Sequence, residues 1–285
     1  MNGCIVHLSD THFGGEADLA LIEGVVELVP DLEPCITVIS GDLTVRARHG
    51  EFQAAKALVR ELEYTAPVFL VPGNHDVQWW LRPLIPFDRT AIYRKYSQYF
   101  GPNLTPLASL PAVLVAAANT VHGVAWGSLT FNLRDLAVKG HLPAKEIRRV
   151  KDLFHRADLA QLRVLVLHHN VLRGELSGRM GLARWKRAER QIVSSGAELV
   201  LCGHDHQECA EQLDGGVVVS CTGPLSRRSR GERPSVFHRI SWDDESIQIE
   251  QYRWSGDRRL FKRADVHVFT RSSQRHEAEA PARAS

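Results

Sequence analysis

The strongest constraint on this chain is a pattern that occurs five times: an apolar, β-branched run followed at once by metal-binding side chains. The five blocks are Asp10-Thr11-His12, Gly41-Asp42, Gly73-Asn74-His75-Asp76, His168-His169 and Gly203-His204-Asp205-His206. Short apolar runs of this kind predict buried parallel strands. Because open α/β sheets build their sites at the carboxyl ends of the strands, we expect the five blocks to meet in one site.

The segments between the blocks predict helices that alternate with strands, which is typical of an α/β fold. Helical patterns cover residues 18–29, 51–64, 143–155 and 182–195. Strands are also predicted at residues 112–118 and 123–126. After the last histidine block, short alternating segments predict antiparallel strands at residues 207–213, 217–221, 236–242 and 246–254.

The length of 285 residues suits one large domain, which we place at residues 1–270. Residues 77–107 break the strand–helix pattern and are rich in aromatic side chains, so they predict an inserted cap with a helix near residues 89–100. The polar residues 271–285 predict a disordered tail.

Composition narrows the classes of function and location. The net charge of +2 gives no general argument for nucleic acid or a membrane as a partner, and no apolar run is long enough to span a bilayer. The first strand begins so early that no signal peptide is expected before it. Five scattered cysteines indicate free thiols, with Cys4, Cys35 and Cys202 as small buried residues, so we expect a cytoplasmic protein.

The spacing within the blocks favours metal binding. In an extended strand end, residues i and i+2 face the same side, so Asp10 and His12 can reach one ion, and His204 and His206 repeat that spacing. Nitrogen and oxygen ligands without cysteine favour Mn, Fe, Zn or Co. Any single motif is weak evidence, since a lone Asp-x-His is usually chance. All five in this order predict a binuclear site with two divalent metal ions.

The five blocks together resemble the calcineurin-like metallophosphoesterase superfamily, whose pattern is Asp-x-His, Gly-Asp, Gly-Asn-His-Asp/Glu, His, Gly-His-x-His. Within it, Gly41-Asp42-Leu43-Thr44 and Gly140-His141-Leu142-Pro143 are most similar to bacterial cyclic-nucleotide and glycerophosphodiester phosphodiesterases. The resemblance implies an α/β fold of the four-layer α+β type. Two sheets would form a β-sandwich flanked by helices, with the metal site at the carboxyl ends of the strands.

The resemblance also implies which residues hold each metal. One metal would be bound by Asp10, His12 and His206. The other would be bound by Asn74, His168 and His204, and Asp42 would bridge the two.

The implied reaction is hydrolysis of a small phosphodiester, such as a cyclic nucleotide or a glycerophosphodiester, attacked by a metal-bridging hydroxide. His75 would protonate the leaving alkoxide or stabilise the developing charge, and Asp76 would orient His75. A phosphomonoesterase or nuclease using the same metals is an alternative, although a nuclease should have a basic groove. A non-catalytic metal-binding scaffold is a further alternative. The oligomeric state is left open, a homo-oligomer included.

Substrate contacts are predicted on two segments near the metal site. Trp79, Trp80 and Arg82 follow the His75 block in the inserted cap, and Arg173 follows His168. The arginine-rich loop at residues 227–233 predicts a solvated turn, with steering of anionic substrates as the alternative.

Overall fold

Two six-stranded sheets form the centre of the molecule in the computed structural model, which describes residues 3–15, 17–78, 90–123 and 139–271. The strands are β1 (Gly3–Leu8), β2 (Ile36–Ile39), β3 (Val68–Leu70), β4 (Leu107–Leu110), β5 (Val113–Ala117), β6 (Leu162–Val166), β7 (Leu199–Cys202), β8 (Cys209–Gln212), β9 (Val218–Cys221), β10 (Val236–Trp242), β11 (Ser246–Ser255) and β12 (Leu260–Thr270). The helices are α1 (Leu19–Leu28), α2 (His49–Glu63), α3 (Arg94–Phe100), α4 (Ala144–His155) and α5 (Trp185–Val193).

Each sheet contains a group of parallel strands that carries the site, with antiparallel strands beside it. The first sheet has the order β12-β11-β10-β1-β2-β3, in which β1, β2 and β3 are parallel. The second has the order β4-β5-β6-β7-β9-β8, in which β5, β6, β7 and β9 are parallel. The carboxyl ends of β1, β2, β3, β6 and β7 are followed by the five metal-binding blocks, as the sequence predicts.

The core is arranged in four layers because successive strand residues face opposite sides. In β1, Ile5 joins an apolar cluster that contains residues of both sheets, whereas Val6 joins a cluster with α1 and α2. A third cluster packs the outer face of the second sheet against α4 and α5. The helix–sheet–sheet–helix sandwich implied by the resemblance is therefore confirmed.

The helices agree with the sequence apart from their ends. The first α-helix stops at Leu28, and the chain continues through Pro30 as a 3-10 turn at Val29–Leu32. In the inserted segment a 3-10 turn at Ala91–Tyr93 leads into α3, while residues 79–89 lie outside the described part of the chain. The predicted strand at residues 123–126 also lies outside it from residue 124 onward.

The sequence prediction missed two strands and assigned one folded residue, Arg271, to the disordered tail. β4 and β12 are edge strands with exposed residues, so they lack the apolar run that marks a buried strand. Arg271 belongs to the folded part rather than to a disordered tail: it is buried and its Nε donates to Glu198 Oε1 at 2.7 Å. Residues 272–285 are outside the described chain.

A buried polar network joins the two sheets behind the metal-binding blocks. His7 of β1 contacts Ser40 Oγ and Ser220 Oγ through its two ring nitrogens, each at 2.9 Å. Ser220 of β9 also contacts His238 Nδ1 of β10 at 2.8 Å. Burial lowers the pKa of His7 well below its usual range and lowers the pKa of His238 to about 3. Both rings are therefore neutral at physiological pH.

None of the helices in the described ranges combines the length and the apolar character that a membrane crossing requires.

Candidate metal centre

Seven side chains predicted from the sequence converge at one edge of the sandwich. The loops after β1, β2 and β3 of the first sheet supply four of them, and the loops after β6 and β7 of the second supply three. They are Asp10, His12, Asp42, Asn74, His168, His204 and His206. Two groups form, and each takes residues from both sheets.

The first group consists of Asp10, His12, Asp42 and His206, whose ligand atoms all lie within 4.8 Å of one another. His12 Nε2 is 2.9 Å from His206 Nε2 and 3.6 Å from Asp10 Oδ1. Ligand bonds of about 2.0–2.2 Å around one ion bring donor atoms to such separations.

The second group consists of Asp42, His168 and His204, with Asn74 beside them. His168 Nε2 lies 3.2 Å from His204 Nδ1, 3.4 Å from Asp42 Oδ2 and 3.1 Å from Asn74 Oδ1. Asp42 is the member common to both groups, since its Oδ2 is also 3.8 Å from His12 Nε2. The arrangement is that of two cation sites with one shared carboxylate.

Backbone carbonyls fix the orientation of three histidines. Nδ1 of His12 lies 3.3 Å from Thr44 O, Nδ1 of His168 lies 2.9 Å from Ser40 O, and Nδ1 of His206 lies 2.9 Å from Arg228 O. A carbonyl only accepts, so each Nδ1 carries a proton and Nε2 is the nitrogen left to bind a metal.

The backbone at the site is held in an unfavourable conformation. Asp10, His12, Asp42, His204 and His206 all have φ between 44° and 76°, in the left-handed region. For residues other than glycine this costs on the order of 1–2 kcal/mol each. The surrounding hydrogen bonds must hold these residues in place, for example His12 N–H to Asp42 O at 3.0 Å.

The two glycines before Asp42 and Asn74 serve different purposes. Gly41 has a φ of +102°, so it makes the sharp turn that the sequence predicts. Gly73 is extended, but a Cβ there would overlap the backbone nitrogen and carboxylate of Asp42. It therefore allows two metal-binding loops to approach closely.

The donor set fits two divalent cations. Asp10 Oδ1 is buried without a hydrogen-bond partner among the described residues, which is unfavourable unless a cation satisfies it. The groups offer imidazole, carboxylate and amide donors and no thiolate, which suits Mn, Fe, Zn or Co.

The charge of the centre follows from its neighbours. Burial alone would raise the pKa of Asp10, but the neighbouring His12 and His206 rings hold it well below the usual range. Burial opposes charge on His168, yet Asp42 and Asp10 raise its pKa to about 9. Burial and the neighbouring His168 lower the pKa of His204 to about 3. Asp10 is thus ionised, and its charge is available to neutralise a metal.

His75 lies at the edge of both groups and is oriented by the loop that follows β2. Its backbone N–H donates to Asp42 Oδ1 at 2.8 Å, and its Nδ1 donates to Val45 O at 2.8 Å. Nε2 is left pointing into a cavity of about 450 Å³ that the metal groups border.

The predicted role of Asp76 as the group that orients His75 is wrong. Asp76 is fully buried and accepts from the backbone N–H groups of Leu43, Thr44 and Gly73 at 2.8–3.1 Å. The side chains of the adjacent residues His75 and Asp76 thus point in different directions. Through these hydrogen bonds Asp76 ties the Asp42 loop to the Asn74 turn. The Val45 carbonyl orients His75 instead.

Of the four predicted substrate contacts, only Arg173 belongs to the part of the chain that the structure describes. Trp79, Trp80 and Arg82 lie outside the described chain. Arg173 does not border the cavity, because its Nε donates to Gly178 O in its own loop at 3.0 Å.

The arginine-rich loop is not simply a solvated turn. Arg228, Ser229 and Arg230 line the cavity in front of the metal groups, together with Lys139 and Arg179. The Arg228 Nη1 atom is 3.5 Å from Nε2 of His75. The sequence indicated a role for this loop in steering anions only as an alternative to a solvated turn. The loop begins 21 residues after His206, and no motif marks it.

Asp205 is a functional candidate that sequence reasoning missed, although it lies between two predicted ligands. Its carboxylate accepts from Ser177 Oγ at 2.8 Å and lies 3.3 Å from Arg230 Nη2. Asp205 therefore holds two cavity loops, one that carries Arg179 and one that carries Arg228. Its near-complete burial between them could not be read from the motif.

A comparison with known protein families shows to which family the chain belongs. The family model described as calcineurin-like phosphoesterase matches residues 5–208, which include all five blocks. The chain belongs to this family. The family's chemistry is metal-dependent phosphoester hydrolysis with two metal ions, and the two groups that share Asp42 are the candidate sites for them.

Two curated relatives share part of the sequence. The chain is 33% identical over 96 residues to the glycerophosphodiester phosphodiesterase GpdQ of Enterobacter lignolyticus, covering 29% of this chain and 34% of that protein. It is 27% identical over 111 residues to a transmembrane protein with a metallophosphoesterase domain of Danio rerio, covering 37% of this chain and 25% of that protein. The matches thus span only about a third of the length of the first relative and a quarter of the second.

Solved structures show the same fold at low identity. A dimetal phosphatase from Danio rerio aligns with a TM-score of 0.65 at 13% identity, covering 95% of this chain and 99% of that one. A purple acid phosphatase from yellow lupin seeds aligns with a TM-score of 0.66 at 12% identity, covering 95% of this chain and 54% of the other. At these identities the likeness supports the fold alone.

Proposed function

We propose that this protein hydrolyses small phosphodiesters with the help of two divalent cations. The observation that carries the proposal is the pair of ligand groups sharing Asp42, with Nε2 of His75 directed into the adjoining cavity. Asp10, His12, Asp42 and His206 would hold one cation, and Asp42, Asn74, His168 and His204 the other. Bound there, the cations would supply an acidified water and positive charge for the phosphoryl oxygens.

His75 is the proposed general acid. Because the Val45 carbonyl holds Nδ1, the ring presents Nε2 to the cavity, where a protonated nitrogen can donate to a leaving alkoxide. The same residue's N–H holds Asp42 Oδ1, so the acid and the shared carboxylate are positioned by one residue. Asp76 contributes by fixing the loops and not by touching the substrate.

The choice of a small diester has two supports. A cavity of about 450 Å³ lies within the range of small-molecule sites, about 300–1,000 Å³. The partial sequence similarity to a glycerophosphodiester phosphodiesterase points to the same class of substrate. A nuclease is less well supported, since the net charge is only +2.

The proposal is tested by reconstituting the purified protein separately with Mn, Fe, Zn and Co. Hydrolysis of bis-p-nitrophenyl phosphate is then compared with that of p-nitrophenyl phosphate, and a panel of cyclic nucleotides and glycerophosphodiesters follows. We expect kcat/KM to be at least about tenfold higher for the diester, with no turnover in the chelated enzyme. Faster hydrolysis of the monoester would favour the phosphomonoesterase alternative.

A further inference from the structure

The cavity in front of the metal groups is bordered by more positive charge than a single phosphate requires. Its lining includes Lys139, Arg179, Arg228 and Arg230 in addition to the metal-binding residues. At about 450 Å³ it also has room for more than a phosphoryl group. Part of the cavity is therefore available to the rest of the substrate.

The arginines of the loop after β9 differ in whether a carboxylate already neutralises them. Nε of Arg227 lies 3.7 Å from Oδ2 of Asp18, and Nη2 of Arg230 lies 3.3 Å from Oδ1 of Asp205. Nη2 of Arg233 lies 2.8 Å from Oε2 of Glu175. Among the residues that the structure describes, no carboxylate is within 4.0 Å of the Arg228 guanidinium. Arg228 is thus the arginine of this loop whose charge is directed to the cavity, next to His75.

The backbone that carries Arg228 is fixed to the metal-binding loops. Its carbonyl accepts from His206 Nδ1 at 2.9 Å, and Arg230 N–H donates to His206 O at 3.2 Å. On the upstream side, Leu225 N–H donates to Ser9 O at 3.2 Å. The backbone from which the Arg228 side chain extends is consequently fixed before any ligand binds, which lowers the entropy lost on binding.

Arg179 reaches the same cavity from the loop after β6. Its carbonyl accepts from Gly174 N–H at 2.9 Å, and Asn170 Nδ2 donates to Leu172 O at 2.8 Å within that loop. Asp205 holds this loop through Ser177 and the Arg228 loop through Arg230. One buried carboxylate therefore keeps both arginine-bearing loops at the cavity.

We propose that Arg228 and Arg179 form a second anion-binding subsite, which receives an anionic group on one arm of the phosphoester held at the metal centre. This rests on the proposed function and narrows its substrate class. Small phosphodiesters with a carboxylate or a further phosphate on one arm bind well, neutral arms bind less well, and arms that end in a quaternary ammonium are disfavoured. Guanidinium groups suit such planar or tetrahedral anions because they donate two parallel hydrogen bonds.

The test measures binding to the metal-loaded protein by calorimetry, so it does not depend on turnover. Three phosphomonoesters serve as probes: propyl phosphate, 3-phosphonooxypropanoate and phosphocholine, whose arms are neutral, anionic and cationic. We expect the carboxylate to bind about tenfold more tightly than propyl phosphate, and phosphocholine to bind more weakly than either. Arg228→Gln should remove most of that preference, so that the carboxylate and propyl probes bind the variant with similar affinity.

Matched variants separate charge at this position from general effects. Arg228→Lys should keep part of the preference, and Arg179→Gln should reduce it. Arg227→Gln changes the adjacent arginine, which does not line the cavity, and should leave the preference intact. Metal content is measured for each variant, because the Arg228 carbonyl, retained in all of them, supports His206.

Equal binding of the propyl and carboxylate probes by the unaltered protein would overturn the subsite. An equal loss of preference in Arg227→Gln and Arg228→Gln would overturn it too, since a general charge effect would then explain the preference. If no phosphate binds to the metal-loaded protein, the proposed function itself fails, and this outcome is distinct from the other two.

Discussion

The two sides of the cavity are built in different ways. On the metal side, every candidate ligand follows a parallel strand within a few residues, and backbone carbonyls fix three of the histidines. On the opposite side, long loops carry the arginines, and side chains such as Asp205 hold the loops together. The metal side should therefore determine whether the reaction occurs, and the arginine side which substrate is preferred.

The largest effect is expected for Asp42→Asn. The amide removes a negative charge and one strong donor that both ligand groups share, so the variant should lose at least one metal and most of its activity, on the order of 10²–10³-fold in kcat. Metal content by elemental analysis and kcat for bis-p-nitrophenyl phosphate check this. Full metal content in the purified variant would contradict the assignment of Asp42 as the shared ligand.

His75→Ala tests a residue between the two sides. Both metals should remain, because the backbone N–H that supports Asp42 is retained, while kcat should fall on the order of 10²-fold for substrates with alkoxide leaving groups. The loss should be much smaller for p-nitrophenolate, which leaves without protonation. Equal losses for good and poor leaving groups would show that His75 is not the general acid.

Asp205→Asn tests whether the arginine side can be loosened without disturbing the metal side. Its carboxylate contacts Ser177 and Arg230 and points to neither ligand group, so metal content and kcat should stay within about twofold of the unaltered protein. KM should rise about tenfold as the two loops lose their common support. A variant that loses metal would place Asp205 on the metal side instead.

The smallest effect concerns the stability of the sandwich beneath both sides. The pKa values of His7 and His238 are lowered by burial, so the unfolded chain binds more protons than the folded protein below about pH 6.5. Stability should therefore fall as pH decreases, by about 1.4 kcal/mol per pH unit for each histidine. For His238→Gln we expect a smaller dependence of the free energy of unfolding on pH between pH 6.5 and pH 5, by about 1.4 kcal/mol per pH unit. The free energy is measured by urea unfolding with chelator present. An unchanged slope would mean that His238 is not buried in its neutral form.

The metal side could be predicted from the sequence because each ligand adjoins a recognisable strand. Asp10 and His12, for example, follow an apolar run directly, and the strand fixes where they lie. The prediction failed where direction within a turn mattered: Asp76 is adjacent to His75 in sequence but faces the Leu43 and Thr44 backbone.

The arginine side could not be predicted, since the position of a loop depends on contacts between residues far apart in the chain. Arg228 reaches His75 because Leu225 is anchored to Ser9 and Arg230 to Asp205. None of these pairs has a sequence signature. Edge strand β12 was missed for a related reason, because its exposed residues follow no apolar pattern.

Each ligand group draws residues from both sheets, and this links the lifetime of the protein to the supply of metal. A cation bound by His12, which follows a strand of the first sheet, and by His206, which follows a strand of the second, opposes separation of the two sheets. A ligand present at a hundred times its dissociation constant adds about 2.7 kcal/mol to the free energy of unfolding. In a cell short of metal, the protein would lose its activity and become more easily unfolded and degraded, so its abundance would follow metal availability.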